Sequence, residues 1–138
     1  MLKALRWLDE YSDLDGDGDV DIAMPDRWLE NKQNGSEWVK HSLPFGKRGP
    51  WGLSSRSWIV DINQDGFPDI VMADSDQKNS QMAWLENDGQ KPPTFKANFL
   101  KQEAEGERGS FHSIAEIDFD GDQIEETIVV KMTLHLKK

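Results

Sequence analysis

Short apolar runs alternate along this chain with dense clusters of aspartate and glycine. Three of the runs are "DIAM" at 21–24, "DIVMAD" at 69–74 and "TIVVKM" at 127–132. They are too short for helices and rich in β-branched residues, so they read as strands. "SWIVDI" (57–62) and "FHSIAEI" (111–117) have the same character and run into acidic clusters from the N-terminal side. The tetrapeptide "WLEN" occurs at 28–31 and again at 84–87. Each copy leads to a turn signal, "NG" at 34–35 and "NDG" at 87–89, and then to one more strand-like run, "EWVKHSL" (37–43) or "FKANFL" (95–100). The pattern predicts a repeated all-β unit: strand, acidic loop, strand, "WLEN" strand, hairpin turn, strand.

The acidic loops share a nine-residue frame: "DLDGDGDVD" at 13–21, "DINQDGFPD" at 61–69 and "DFDGDQIEE" at 118–126. Oxygen donors fall at positions 1, 3, 5 and 9. They are Asp13, Asp15, Asp17 and Asp21; then Asp61, Asn63, Asp65 and Asp69; then Asp118, Asp120, Asp122 and Glu126. Alternating oxygen ligands followed by glycine at position 6 are how a short loop wraps a hard cation. Gly18 and Gly66 fill that position and Gln123 does not, which makes the third loop the weakest expected site. Backbone ligation at position 7 would come from Asp19, Phe67 and Ile124. Calcium is expected at the first two loops and more weakly at the third. Magnesium is disfavoured because it demands octahedral geometry with several retained waters. Five carboxylates crowded into the first loop repel one another by several tenths of a kcal/mol per pair even in water, so a bare solvated turn is a costly alternative there.

An EF-hand does not fit. Its bidentate acid at position 12 would fall on Met24, Met72 and Val129, and strands follow the loops where helices would be needed. The same missing ligand argues against dockerin-type loops. The absence of cysteine argues against a thrombospondin-type calcium array.

Composition sharpens this picture. The net charge is −10, and 13 of the 26 acidic residues lie in the three loops, so the charge is mainly a metal-site signature. Such a chain is a poor partner for nucleic acid or an anionic membrane. No apolar run approaches the ~20 residues of a membrane span. The start, "MLKALRWLDE", is interrupted too early by acids to act as a signal peptide. Hydrophobic residues make up 36% of the chain and six are tryptophan, enough for a modest packed core.

The loops, the short apolar strand after each, and the "WLEN…G" continuation resemble FG-GAP/VCBS-type repeats, the blades of calcium-binding β-propellers such as the integrin α-chain head. The resemblance covers roughly residues 12–132. It implies propeller-type blades of four antiparallel strands, with blade 1 at about 1–47, blade 2 at about 48–103 and a partial blade 3 at about 104–138. A closed ring needs at least four blades. The resemblance therefore leads us to expect either a longer parent chain or self-association. Such propellers serve adhesion, protein or carbohydrate binding, and some sugar-cleaving chemistry. The expected role is a calcium-binding interaction module without catalysis; the alternative is a fragment of a propeller-based lyase or dehydratase. Family members work mostly outside the cytosol, which favours an extracellular or periplasmic location.

Single residues add little to this. Trp28 and Trp84 occupy equivalent repeat positions and are expected to pack blades. Trp51, in "GPWGL", is the best candidate for an exposed recognition residue. A catalytic reading would rest on His112, Arg56 and Arg108, without a paired histidine at the equivalent Ser55. His41 and His135 have less in their favour.

Overall fold

The computed structural model describes residues 11–46, 54–75, 81–100, 110–117 and 126–132, the last two stretches through their backbone. Trp51, Arg108, His135 and most of the third loop lie outside these residues. Two four-stranded antiparallel sheets and one two-stranded sheet make up the described fold. The first sheet runs β1 (Tyr11–Ser12), β2 (Asp21–Met24), β3 (Arg27–Lys32) and β4 (Glu37–Ser42). The second runs β5 (Ser54–Val60), β6 (Asp69–Ser75), β7 (Met82–Asn87) and β8 (Phe95–Phe99). The third pairs β9 (Ser110–Ile117) with β10 (Glu126–Met132).

In each full sheet, neighbours in space are neighbours in sequence, the up-and-down order of a propeller blade. The expected all-β architecture of two full blades and a partial third is therefore present. The described residues do not close a ring.

The two blades share one register. Ile22 pairs with Leu29 and Ala23 with Trp28 in the first; Ile70 pairs with Leu85 and Val71 with Trp84 in the second. The hairpin after the first "WLEN" turns through three left-handed residues, Gln33 (φ 56°), Asn34 (φ 53°) and Gly35 (φ 88°). Asparagine and glycine tolerate that conformation, which is why "NG" marks the turn in the sequence.

The core lies between the blades. Leu14, Ala23, Trp28, Leu43 and Phe45 of the first blade form one cluster with Ile59, Ile70, Met72, Ala83 and Leu85 of the second. Phe95 meets the Trp28 ring edge-on at 6.5 Å, and Phe45 stacks on Phe99 at 6.3 Å. Each fully buried side chain here contributes about 1.5–3 kcal/mol of transfer free energy, so the first blade is held chiefly by its neighbour. A second cluster, Trp58, Val71, Ala73 and Met82, lies on the opposite face of the second sheet. β9 packs against β5 and β6.

Candidate metal centre

The first acidic loop joins β1 to β2 and the second joins β5 to β6, so each closes the hairpin between the first two strands of its blade. Their internal hydrogen bonding is nearly the same. At position 1, Asp13 accepts the Asp17 and Gly18 amides at 3.1 and 3.0 Å, and Asp61 accepts the Asp65 and Gly66 amides at 3.1 and 2.9 Å. At position 3, Asp15 accepts the Asp17 amide and Asn63 the Asp65 amide, both at 3.1 Å. At position 5, Asp17 accepts from Asp19 and Asp65 from Phe67. The backbone at position 6 is left-handed in both, with φ 97° at Gly18 and 91° at Gly66. At position 4, Gly16 (φ 73°) is matched by Gln64 (φ 60°).

Position 9 ties the loop to the rest of the blade. Asp21 accepts the Leu14 amide on one oxygen and the Asn31 amide on the other, both at 2.8 Å. Asp69 does the same with Ile62 at 3.2 Å and Asn87 at 2.9 Å. Both carboxylates are fully buried. Asn31 and Asn87 are the last residues of the two "WLEN" copies, so the repeated tetrapeptide ends where it can satisfy the repeated aspartate.

In the first loop Asp13, Asp15 and Asp21 each offer an oxygen within 4.8 Å of the other two, close enough to share one cation. Asp17 is not part of that group; its Oδ1 is turned to the Asp19 amide. In the second loop position 3 is the neutral Asn63, whose amide nitrogen lies 2.8 Å from Asp65. Asp118, Asp120, Asp122 and Ile124 lie outside the described residues, and Glu126 opens β10.

Burial and like charge set the electrostatics of both loops. Burial raises the Asp21 pKa to about 6; the two amide hydrogen bonds oppose this, and the Asp15 and Asp17 charges add to it. Burial also raises Asp15, with Asp17 and Glu30 contributing, and raises Asp69. A carboxylate held up by burial and by like charge is one that a bound cation would return to its ionised form.

A family model described as an FG-GAP-like repeat matches residues 61–129, half of the chain, from the first aspartate of the second loop into β10. The chain belongs to the FG-GAP-like repeat family. No curated protein gives a significant match, and neither does any solved structure. The first blade lies outside the matched residues, but its loop and register copy those of the matched FG-GAP-like blade.

Two features of this FG-GAP-like module escaped the sequence reading. Glu30, the acid of the first "WLEN", is buried next to Asp15, with Oε1 2.6 Å from Lys32 Nζ and Oε2 2.7 Å from His41 Nε2. Burial pushes its pKa up, but the Lys32 and His41 partners outweigh it and hold the carboxyl below its usual range. His41 also stacks on Trp28 at 4.4 Å. The signal was the cross-strand offset: Trp28 faces His41 in the β3–β4 register, and Glu30 is two residues along on the same face. The second feature is a groove of about 290 Å³ between the first loop and the second blade. Across it, Lys91 Nζ donates to the Gly16 carbonyl at 3.0 Å, and nearby the Asn87 side-chain amide donates to the Leu14 carbonyl at 3.1 Å. The second blade thus braces the first loop from outside.

Proposed function

We propose that the chain is a calcium-binding FG-GAP-like module in which the ions are structural and the blades serve interaction rather than catalysis. The observation that carries this reading is the convergence of Asp13, Asp15 and Asp21 in the first loop. All three are hard oxygen donors, and two of them are buried. That chemistry suits a divalent cation that takes six to eight oxygens at about 2.3–2.6 Å. The second loop, with Asp61, Asn63, Asp65, Asp69 and the Phe67 carbonyl, would hold a second ion of lower site charge. The third loop would hold a weaker one.

The role assigned to the ion follows from the wiring of position 9. Asp21 and Asp69 link each loop to the "WLEN" strand, so a cation neutralising the loop also stabilises the join between first, second and third strands. An ion that binds only the folded state stabilises it by RT ln(1 + [L]/Kd). The test is thermal unfolding of the chain in excess chelator and again with 2 mM calcium. A marked rise in midpoint supports the reading. An unchanged midpoint, with no calcium taken up in equilibrium dialysis, overturns it.

A further inference from the structure

Asn87, the last residue of the second "WLEN", is buried and uses its backbone N–H and its whole side chain in hydrogen bonds. The backbone N–H donates to Asp69 at 2.9 Å, and the side-chain oxygen accepts the Gly89 N–H at 2.9 Å. The side-chain amide has two N–H groups to give. One goes to the Pro68 carbonyl at 3.0 Å, inside its own blade. The other crosses to the first blade and reaches the Leu14 carbonyl, 73 residues away in sequence, at 3.1 Å.

The first "WLEN" makes only the own-blade part of this pattern. Asn31 donates its backbone N–H to Asp21, gives its side-chain amide to the Val20 carbonyl at 3.1 Å and accepts the Gly35 N–H at 2.6 Å. Val20 and Pro68 both hold position 8 of their loops. The bond from Asn87 to Leu14 is the addition, and among the described residues it has no counterpart at Asn31.

Leu14 passes the contact on, because its own N–H donates to Asp21 at 2.8 Å. A chain of three hydrogen bonds therefore links the position-9 carboxylates of the two loops: Asn87 backbone to Asp69, Asn87 side chain to Leu14 carbonyl, Leu14 amide to Asp21. Leu14, Asp21, Asp69 and Asn87 are all buried, where such bonds are strong. Two residues further along the loop, Lys91 Nζ donates to the Gly16 carbonyl at 3.0 Å. The second blade thus grips the first loop by the carbonyls on either side of Asp15.

We propose that Asn87, assisted by Lys91, is a positioning residue for the first acidic loop. From the second blade it holds the backbone on which Asp13, Asp15 and Asp21 converge, so the cation site of one blade is completed by the next. The inference rests on the proposed cation at that loop. Both side chains act through backbone carbonyls, and groups that orient metal ligands from outside are worth about 10–100-fold in metal affinity. The charge of Lys91 gives its contact a distinctive sign. Removing a positive charge beside a cation site tightens binding by charge alone, whereas removing a brace weakens it.

Calcium titration of the full chain, followed by amide NMR, reads each loop separately, because the Gly18 N–H is bonded to Asp13 and the Gly66 N–H to Asp61. Asn87→Ala should weaken the Kd read at Gly18 by about tenfold, although every oxygen donor of that loop is intact. Lys91→Met, a change at an exposed side chain, should weaken it by about twofold or more and leave the value at Gly66 unchanged. If Asn87→Ala fails to fold, Lys91→Met alone decides. Thr94→Ala removes the hydroxyl bond to Asp88 in the same turn without reaching the first loop, and should leave the Gly18 value at its wild-type level. A Gly18 value that is unchanged or tighter in either folded variant would overturn the proposal. An equal loss in Thr94→Ala would overturn it too, since general loosening of the second blade would then account for the effect. Calcium that shifts neither glycine in the wild-type chain would sink the calcium reading itself, and this inference with it.

Discussion

The carboxylate of Asp21 accepts the backbone N–H of Asn31 at 2.8 Å, and 48 residues on Asp69 accepts that of Asn87 at 2.9 Å. One bond thus joins the last position of the acidic loop to the last position of "WLEN" in both blades. The acidic loop and the third strand are one unit, and perturbing either end should be felt at the other.

Substitution at this join has a calculable cost. Asp21→Ala removes the acceptor for two amides, Leu14 and Asn31, and leaves them unsatisfied or waiting for water. At about 1–3 kcal/mol for each orphaned buried group, urea unfolding in chelator should show a loss of roughly 2–6 kcal/mol. Asp69→Ala should behave alike through Ile62 and Asn87. Asp17→Ala, whose carboxylate caps only the exposed Asp19 amide, should cost clearly less.

The pH dependence in chelator should run opposite to that of an ordinary acid-paired protein. Burial raises the folded-state pKa of Asp21 to about 6, and raises Asp15, Asp69 and Asp74 as well. Groups with raised carboxyl pKa values hold protons more tightly when folded, so their contribution is present at low pH and is lost as pH rises through the folded value. Asp26, Glu30 and Asp88 are held low, and their contribution is lost only on acidification through those depressed values. Between pH 5 and 7.5 the raised groups dominate. The calcium-free midpoint should therefore fall across that interval, and the increment produced by 2 mM calcium should be larger at pH 7.5 than at pH 5. Melting curves at the two pH values, with and without chelator, check both statements.

Two left-handed positions separate backbone strain from steric fit. A Cβ on Gly18 would meet nothing within 4 Å, so Gly18→Ala is penalised only by its φ of 97°. A loss of about 1–2 kcal/mol is expected. Gln64 bears the same strain already, at φ 60°, where the first loop has Gly16. Gln64→Gly should raise stability by up to about 1 kcal/mol, the relieved strain being partly offset by the greater freedom of glycine in the unfolded chain. Chemical denaturation of both variants measures the two signs.

Two tryptophans of the first blade, Trp28 and Trp38, should respond very differently. Trp28 is fully buried at the junction, stacked on His41 and touched by Phe95. Trp28→Ala should cost about 3–5 kcal/mol and loosen one blade from the other. Trp38→Ala removes a ring that is 44% exposed within one chain. It should change stability by less than about 1 kcal/mol. Urea denaturation of the two variants measures the difference.

Much of this protein is legible in its sequence because local rules specify it. The period-two apolar runs, the "NG" turn and the twice-repeated "WLEN" specify strand, hairpin and register within a blade, since pairing partners lie close along the chain. The oxygen donors at alternate positions, with glycine at position 6, likewise specify a loop whose backbone wraps inward, and both described loops do so. What only the tertiary structure decided is how side chains and neighbouring sheets are placed in space. The grouping of Asp13 and Asp15 with Asp21, but not with Asp17, depends on which oxygens the loop amides leave free. Burial of Glu30 between Lys32 and His41 depends on the facing strand. The same apolar positions are core in the second blade and surface in the first, because burial belongs to the neighbour a sheet meets and not to the residues it carries. An identical pattern along the strand cannot state which neighbour is there.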